Sequence, residues 1–110
     1  MARVLHTRAL VWASGMAVCQ RLVLIHPTRR GDLGLLAHEL THVAQMQACG
    51  TALFWARYLL TRRWRLAYEL AAYRVSLAYA PWELDGYAHI LATKYWLGIT
   101  VAHARAGLSA

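Results

Sequence analysis

Charged residues are scarce in this chain. They make up 15% of the 110 residues, and only five of them are acidic, whereas 59% of the residues are hydrophobic. Intrinsically disordered chains combine low hydrophobicity with high net charge, so this composition excludes disorder. A chain of this length forms one domain, 1–110, with a modest core. The high apolar fraction also allows surface to be buried against a second copy of the chain, a partner protein or lipid.

Long uncharged apolar runs are missing as well. A membrane-spanning helix needs about 20 consecutive, mostly apolar residues. The candidate run at 53–60 contains Arg57 and is followed by three further arginines, and the run at 86–106 contains two histidines, Lys94 and Arg105. We therefore predict that neither run forms a transmembrane helix.

Cysteine is rare, and the two that occur, Cys19 and Cys49, have no C-x-x-C spacing. They form no zinc site by themselves, and one bridge between them would not be a disulfide framework. We predict two small buried thiols in a reducing compartment, which favours the cytoplasm.

The net charge of +7 comes from arginines spread along the chain, with one cluster between 57 and 65. A basic domain can bind nucleic acid, anionic lipid or acidic partners. No nucleic-acid-binding motif accompanies the cluster, so we predict a solvated helix end and no nucleic-acid partner. Contact with a membrane surface stays open.

Glycine and proline are absent from the apolar stretch 35–49, and this stretch contains the clearest motif of the chain. Residues 36–47 read LAHELTHVAQMQ, in which His38, Glu39 and His42 form H-E-x-x-H. Two histidines four residues apart lie on one face of a helix, where both imidazoles can bind one tetrahedral metal. The glutamate between them can reach a metal-bound water. The motif predicts Zn²⁺ bound by His38 and His42, with Glu39 as general base.

A third ligand is expected, because a catalytic zinc usually has three protein ligands and one open position. The extension H-x-x-G-x-x-H is absent, since residues 43–50 read VAQMQACG. Glu69 is the strongest remaining candidate. It lies in the helical segment RLAYELAAYRVSLAY, where a lone glutamate is costly to bury unless it is paired or binds a metal. The separation of 27 positions between His42 and Glu69 allows one short connecting helix.

Two strands are predicted before the motif. The runs RALVWA at 8–13 and MAVCQRLVLIH at 16–26 flank Ser14 and Gly15, which is typical of a β-hairpin over 8–26. Residues 1–7 are expected to form an extended arm. A strand beside the metal helix could hold an extended peptide substrate by sheet addition.

Helices are predicted over 32–106. Asp32 is a suitable N-cap for a motif helix at about 33–48. The stretch 51–80 contains no glycine or proline, and we divide it at the basic residues 61–63 into helices at about 52–61 and 64–80. A last helix is expected from 81 to about 105, with bends at Gly86 and Gly98. The predicted fold class is α+β, mainly α, with a β-hairpin followed by about four helices.

Other side chains are weaker candidates for a role in the site. Tyr73 lies four residues after Glu69, hence on the same helical face. It is a candidate oxyanion donor or positioning residue, and a core tyrosine with a satisfied hydroxyl is an equal alternative. For Gln45 and Arg74 we favour a surface position over a contact with the cleft. The same holds for three further histidines that no spacing rule supports: His26, His89 and His103.

The segments LLAHELTHVAQ and AYELAAYR together resemble the gluzincin branch of the zincin metalloproteases. In particular, residues 10–80 resemble minimal bacterial zincin-like domains, in which a hairpin precedes LAHELxHxxQ and a later helix carries ExxAYR. The resemblance implies a minimal zincin-like fold and zinc bound by His38, His42 and Glu69. It also implies Glu39 as the general base that activates water for hydrolysis of a peptide or protein substrate.

Three hypotheses follow for the function. The first is a small zinc-dependent metallopeptidase. The second is a zincin-derived metal-binding or protein-interaction module without turnover. The third is a basic membrane-surface or partner-docking protein in which H-E-x-x-H is accidental. Glu39 favours the first over the second, because a structural metal site does not need that acid, and Glu69 favours both over the third.

Overall fold

The structure is a computed structural model that describes residues 2–110. Three strands come first: β1 (Arg3–His6), β2 (Gly15–Cys19) and β3 (Leu22–Ile25). Five α-helices follow in the described chain: α1 (Leu33–Cys49), α2 (Thr51–Leu60), α3 (Arg62–Tyr79), α4 (Leu84–Thr93) and α5 (Val101–Ser109). Short 3₁₀ turns at Pro27–Arg29 and Pro81–Glu83 precede α1 and α4. The predicted fold class, α+β and mainly α, is confirmed.

The sheet has the strand order β1-β3-β2. Strand β2 runs antiparallel to the central strand β3, and β1 runs parallel to it. The turn predicted at Ser14 and Gly15 was wrong: Gly15 begins β2, and the polar pair Gln20 and Arg21 turns the chain within the run 16–26. The hairpin itself lies inside the predicted range 8–26. Residues 8–13 form no strand, and Val11 and Trp12 are exposed there. The segment predicted as an extended arm, 1–7, contains β1.

The first three helices begin and end within about two residues of the predicted positions. The Asp32 side chain accepts a hydrogen bond from the Leu35 amide (3.0 Å) and caps α1 as predicted. Gly50 ends α1 with a φ of +92°, a conformation that glycine adopts at little cost. The single last helix at 81–105 was wrong: α4 and α5 are separate, and Gly98 (φ +67°) and Trp96 (φ +52°) reverse the chain between them.

The core consists of two clusters on either side of the α1–α3 contact. One lies between the sheet, α1 and α2 around Val23, Met46 and Phe54, and the other joins α3 to α4 and α5. Burial of each such large apolar side chain stabilises the fold by about 1.5–3 kcal/mol. Between the clusters, the buried Ser76 hydroxyl donates to the Gly34 carbonyl (2.8 Å) and fixes α3 against α1. This contact places the middle of α3 opposite the H-E-x-x-H turn of α1.

Two further sequence-based expectations concern membrane helices and thiols. Among residues 2–110, no helix is both long and apolar enough to cross a bilayer. Cys19 and Cys49 are free thiols, and both are half-buried rather than fully buried as predicted. The Cys49 thiol lies on α1 near the Tyr68 hydroxyl (3.7 Å).

Candidate metal centre

Three buried donor atoms converge from two helices. On α1, the Nε2 atoms of His38 and His42 are 3.2 Å apart, as their four-residue spacing predicts. On α3, Glu69 Oε1 lies 3.0 Å from His38 Nε2 and 3.1 Å from His42 Nε2. All three residues are at most 6% exposed. The structure therefore brings together the three predicted ligands as one group that could hold a metal ion.

The size of this triangle fits a tetrahedral metal site. Zinc bonds to imidazole nitrogen and carboxylate oxygen are about 2.0–2.2 Å long, so two ligand atoms of a tetrahedron lie roughly 3.3–3.6 Å apart. The three observed separations of 3.0–3.2 Å fall within a few tenths of an ångström of that value. Two nitrogens and one oxygen are also the donors of a catalytic zinc site, which leaves a fourth position open.

Gln45 fixes the orientation and the tautomer of His42. Its side-chain NH₂ donates to the Tyr68 carbonyl (3.1 Å), so its Oε1 faces the imidazole and accepts from His42 Nδ1 (2.8 Å). If a metal ion replaced the proton on Nε2, this hydrogen bond would keep the other proton on Nδ1 and leave the Nε2 lone pair free to bind the ion. This is the arrangement by which an outer hydrogen bond prepares a histidine for a metal. The sequence-based preference for a surface position of Gln45 was wrong.

His38 lacks the corresponding partner. Its Nδ1 is buried and has no hydrogen-bond partner among the described residues. The ring is instead held by packing, with the Tyr73 ring at a centroid distance of 4.3 Å and the His42 ring at 4.8 Å. Aromatic contacts in an edge-on arrangement thus orient this imidazole.

Both oxygens of Glu69 are engaged. Oε1 faces the two histidines, and Oε2 accepts a short hydrogen bond from the Tyr58 hydroxyl on α2. Burial opposes ionisation of Glu69, but hydrogen bonds and charges from His38 and His42 outweigh it and hold the pKa of the carboxyl well below its ordinary range. Burial would lower the pKa of His42, but the hydrogen bond and charge of Glu69 outweigh it and raise that pKa to about 9. Glu69 on α3 and the two histidines on α1 therefore attract each other electrostatically, which favours the contact between the two helices at this point.

Glu39 differs from Glu69 in having an unengaged oxygen. Its Oε1 lies 3.8 Å from His38 Nε2, while Oε2 is buried and has no hydrogen-bond partner among the described residues. Burial raises the pKa of Glu39, and the neighbouring histidines and the Ala17 backbone offset only part of that increase. A carboxylate with a raised pKa and a free oxygen beside the ligand atoms is suited to proton transfer.

Strand β2 approaches the motif helix closely at Gly15. A Cβ atom placed on Gly15 would lie 3.3 Å from Glu39 Cγ and 3.2 Å from Leu35 Cδ1, tighter than ordinary contact. A side chain at this position would therefore require Leu35, Glu39 or the strand to shift by a few tenths of an ångström. The absence of a side chain at Gly15 lets the sheet edge run directly beside the carboxylate.

Two tyrosines form a hydroxyl pair near His38. The Tyr73 and Tyr95 hydroxyl oxygens are 2.7 Å apart, and burial raises the pKa of both phenols, which stay protonated. One hydroxyl donates to the other, so one proton of the pair is left for another acceptor. The Tyr73 ring packs against His38, so Tyr73 stays a candidate oxyanion donor or positioning residue. Its hydroxyl is also paired, as in the alternative hypothesis of a satisfied core tyrosine.

A cavity of about 590 Å³ opens onto the ligand atoms. His38, Glu39, His42 and Glu69 line this cavity, as do residues 14–17 at the edge of the sheet. Tyr58, Tyr73 and Tyr95 line it as well. This volume is in the range of small-ligand sites, which are about 300–1,000 Å³.

Several side chains identified in the sequence lie elsewhere, and others were missed. Arg74 donates to the Gly107 carbonyl (2.9 Å), His26 contacts Thr28, and His89 and His103 are exposed. Tyr58 and Tyr95 were not identified from the sequence. Gln45 had a usable signal, because it lies three residues after His42 on the same helical face. Tyr58 and Tyr95 had none, since their positions depend on how α2 and the segment after α4 pack.

We compared the chain with known proteins at three levels. No protein-family model, no curated protein and no solved structure matches it. The geometry of the His38–His42–Glu69 group and of its surroundings is therefore the basis for inferring function.

Proposed function

We propose that this chain is a zinc-dependent metallopeptidase of the zincin type, with a gluzincin-like ligand set. One observation carries the proposal: His38, His42 and Glu69 converge in a buried triangle beside a glutamate with a free oxygen. A purely structural metal site gives no reason for Glu39 to lie there. The resemblance of LLAHELTHVAQ and AYELAAYR to zincin-like domains supports the same proposal.

Zinc suits the donor set better than other common metals. Imidazole nitrogen favours zinc, copper, iron and nickel, whereas magnesium and calcium prefer oxygen ligands alone. Two nitrogens and one carboxylate oxygen in near-tetrahedral spacing match catalytic zinc in hydrolases. When bound, zinc would polarise the scissile carbonyl and lower the pKa of a coordinated water to near 7.

Glu39 would act as the general base. The carboxylate takes a proton from the attacking water as the new C–O bond forms, and it returns that proton to the amide nitrogen as the C–N bond breaks. Burial raises the pKa of Glu39, which strengthens the carboxylate as a base for the attacking water. The Ala17 backbone forms a hydrogen bond with Glu39, and the lack of a side chain at Gly15 allows the sheet edge to lie close to this carboxylate.

The tyrosine pair would stabilise the developing oxyanion. Tyr73 packs on His38 and lines the cavity. When the Tyr95 hydroxyl donates to the Tyr73 hydroxyl, Tyr73 can donate its own hydrogen bond to an oxygen in the cavity. Such donors are commonly worth about 10²–10³ in turnover when they are aimed at the transition state.

Strand β2 would bind the substrate. It is an edge strand, because β3 pairs with it on one side only, and residues 14–17 line the cavity. An extended peptide can add to such an edge through main-chain hydrogen bonds and lie across the ligand group.

The half-buried free thiols Cys19 and Cys49 support a reducing compartment for the protein.

The test combines metal content with hydrolysis of a quenched-fluorescence peptide library. We expect Glu39→Gln to retain one zinc per chain and to lose turnover by about 10²–10⁴. Glu83→Gln, a matched change outside the cavity, should behave as wild type. Turnover of Glu39→Gln at the wild-type rate would remove Glu39 as base. A wild-type protein that binds zinc but cleaves no member of the library would instead be a metal-binding module without turnover.

A further inference from the structure

We propose that the cavity contains a carboxylate-binding subsite at Lys94, bordered by Tyr95 and Trp96. The subsite would select peptides that carry a carboxylate next to an apolar residue. This inference rests on the proposed peptidase function, because it names the class of substrate that the same cavity takes. It is carried by three observations: an unpaired cation, a fixed backbone and an exposed aromatic rim.

The cation is Lys94, the only lysine in the sequence. It lines the cavity at the end of α4 and forms no ion pair with any residue from 2 to 110. Among the other charged residues that line the cavity, Arg29 pairs with Asp32 (3.0 Å), and the carboxylates of Glu39 and Glu69 lie beside the histidines. Lys94 is thus the cavity charge that still lacks a counter-ion. A carboxylate of a bound peptide would supply one.

The segment after Lys94 is held in place by Arg65. From α3, the Arg65 guanidinium donates to the Tyr95 carbonyl (2.9 Å) and to the Trp96 carbonyl (3.4 Å). It also donates to the Tyr58 carbonyl (2.8 Å), which ties the segment to the end of α2. One planar cation that bridges three carbonyls fixes their relative positions. The wall of the subsite is therefore preorganised.

Trp96 has an unfavourable backbone conformation, which the hydrogen bond from Arg65 to its carbonyl helps to hold. Its φ of +52° is left-handed, a conformation that residues other than glycine rarely adopt. Its side chain is 87% exposed at the mouth of the cavity, and Trp12, 64% exposed, lies on the same cavity. Strained residues persist where the surrounding structure fixes them, often at ligand sites. The two indoles offer apolar surface to a bulky side chain of a bound peptide.

Together these features define the ligand chemistry. A carboxylate can come from the C-terminus of a peptide or from an Asp or Glu side chain, and either would meet Lys94. The net charge of +7 attracts such anionic peptides to the protein in the first place. Both sources are distinguishable by experiment, because amidation removes one and substitution by Asn or Gln removes the other.

Peptide binding, rather than turnover, tests the subsite. Fluorescence anisotropy would be measured with the full chain carrying Glu39→Gln and supplied with zinc, so that bound peptides stay intact. One peptide pair differs only in a free or amidated C-terminus. The other pair is amidated throughout and differs only in an internal Asp or Asn. In one of the two pairs, we expect the peptide with the carboxylate to bind about five- to tenfold more tightly than the neutral peptide. This difference in affinity should shrink as the salt concentration is raised.

Variants assign the preference to the subsite. Lys94→Ala should abolish it and Lys94→Arg should keep it, while Arg21→Ala, which removes an exposed charge outside the cavity, should leave it unchanged. Trp96→Ala should weaken both members of a pair equally. Equal binding of the charged and neutral peptides, or a preference that survives Lys94→Ala, would overturn the proposal. If the protein prefers the charged peptide but cleaves no peptide, the peptidase proposal is refuted and the subsite proposal is retained. If it cleaves peptides but binds the charged and neutral ones equally, the subsite proposal is refuted and the peptidase proposal is retained.

Discussion

Replacing Gln45 with alanine removes the hydrogen-bond acceptor that holds the His42 ring. In the folded protein, Gln45 Oε1 accepts from His42 Nδ1 (2.8 Å), and its NH₂ group is anchored on the Tyr68 carbonyl (3.1 Å). Without this acceptor, His42 can rotate or place its proton on Nε2, and that tautomer has no Nε2 lone pair with which to bind the metal. Loss of such an outer partner typically weakens metal affinity by about 10–100-fold. We therefore expect Gln45→Ala to lose about 1.4–2.7 kcal/mol of zinc-binding free energy.

The assay is a competition between the protein and a chromophoric zinc chelator of known affinity. Gln47→Ala is the matched control, because Gln47 lies on the same helix, two residues on, and is exposed. Gln45→Glu is a rescue variant, since a carboxylate can also accept from Nδ1 and should restore much of the affinity. The metal-free Gln45→Ala protein should be less stable than the wild type by about 1–3 kcal/mol, because it loses two side-chain hydrogen bonds that contribute about 0.5–1.5 kcal/mol each. Equal zinc affinity of wild type and Gln45→Ala would refute this account of His42.

Four further substitutions test other parts of the site and fold. Tyr58→Phe leaves Glu69 Oε2 without its donor and should weaken zinc binding about tenfold; a zinc affinity equal to wild type would mean that this hydrogen bond does not position Glu69. Tyr95→Phe should retain zinc but slow peptide hydrolysis about tenfold, and Tyr73→Phe should slow it by about 10²; undiminished turnover in Tyr73→Phe would exclude the pair as oxyanion donor. Phe54 is 1% exposed and stacks on Tyr68, with ring centroids 4.6 Å apart. Phe54→Ala should therefore lower the free energy of unfolding, measured by chemical denaturation, by about 3–5 kcal/mol. A loss below about 1 kcal/mol would contradict the place of Phe54 in the core.

The helical part of the fold was predictable because its signals are local. Asp32 as N-cap, Gly50 after the last turn and the long stretch without glycine or proline gave α1, α2 and α3 close to their observed bounds. The sheet was less predictable, because strand pairing depends on partners distant in sequence. β1 pairs with β3 across 19 residues, Arg3 with Leu22, and nothing in residues 1–7 alone indicates that partner.

The site was predictable where one helix determines it. The spacing of His38 and His42 predicts their convergence, and the isolation of Glu69 among uncharged neighbours indicates that it needs a partner. Tyr58 and Tyr95 were not predictable, because both reach the site through tertiary packing. Arg65 donates hydrogen bonds to the carbonyl groups of both residues. The sequence does not distinguish Arg65 from the other arginines of the basic cluster between 57 and 65.

The metal content of the purified protein tests the central claim most directly. The full chain would be prepared in chelator-free buffer, loaded with excess zinc, desalted and analysed by elemental mass spectrometry beside Glu69→Ala. We expect one zinc per chain in the wild type and loss of that zinc in Glu69→Ala, because the triangle of ligand atoms then loses its carboxylate. A wild-type protein that retains no zinc after loading, or a Glu69→Ala variant that keeps full occupancy, would contradict the assignment of His38, His42 and Glu69 as a metal site.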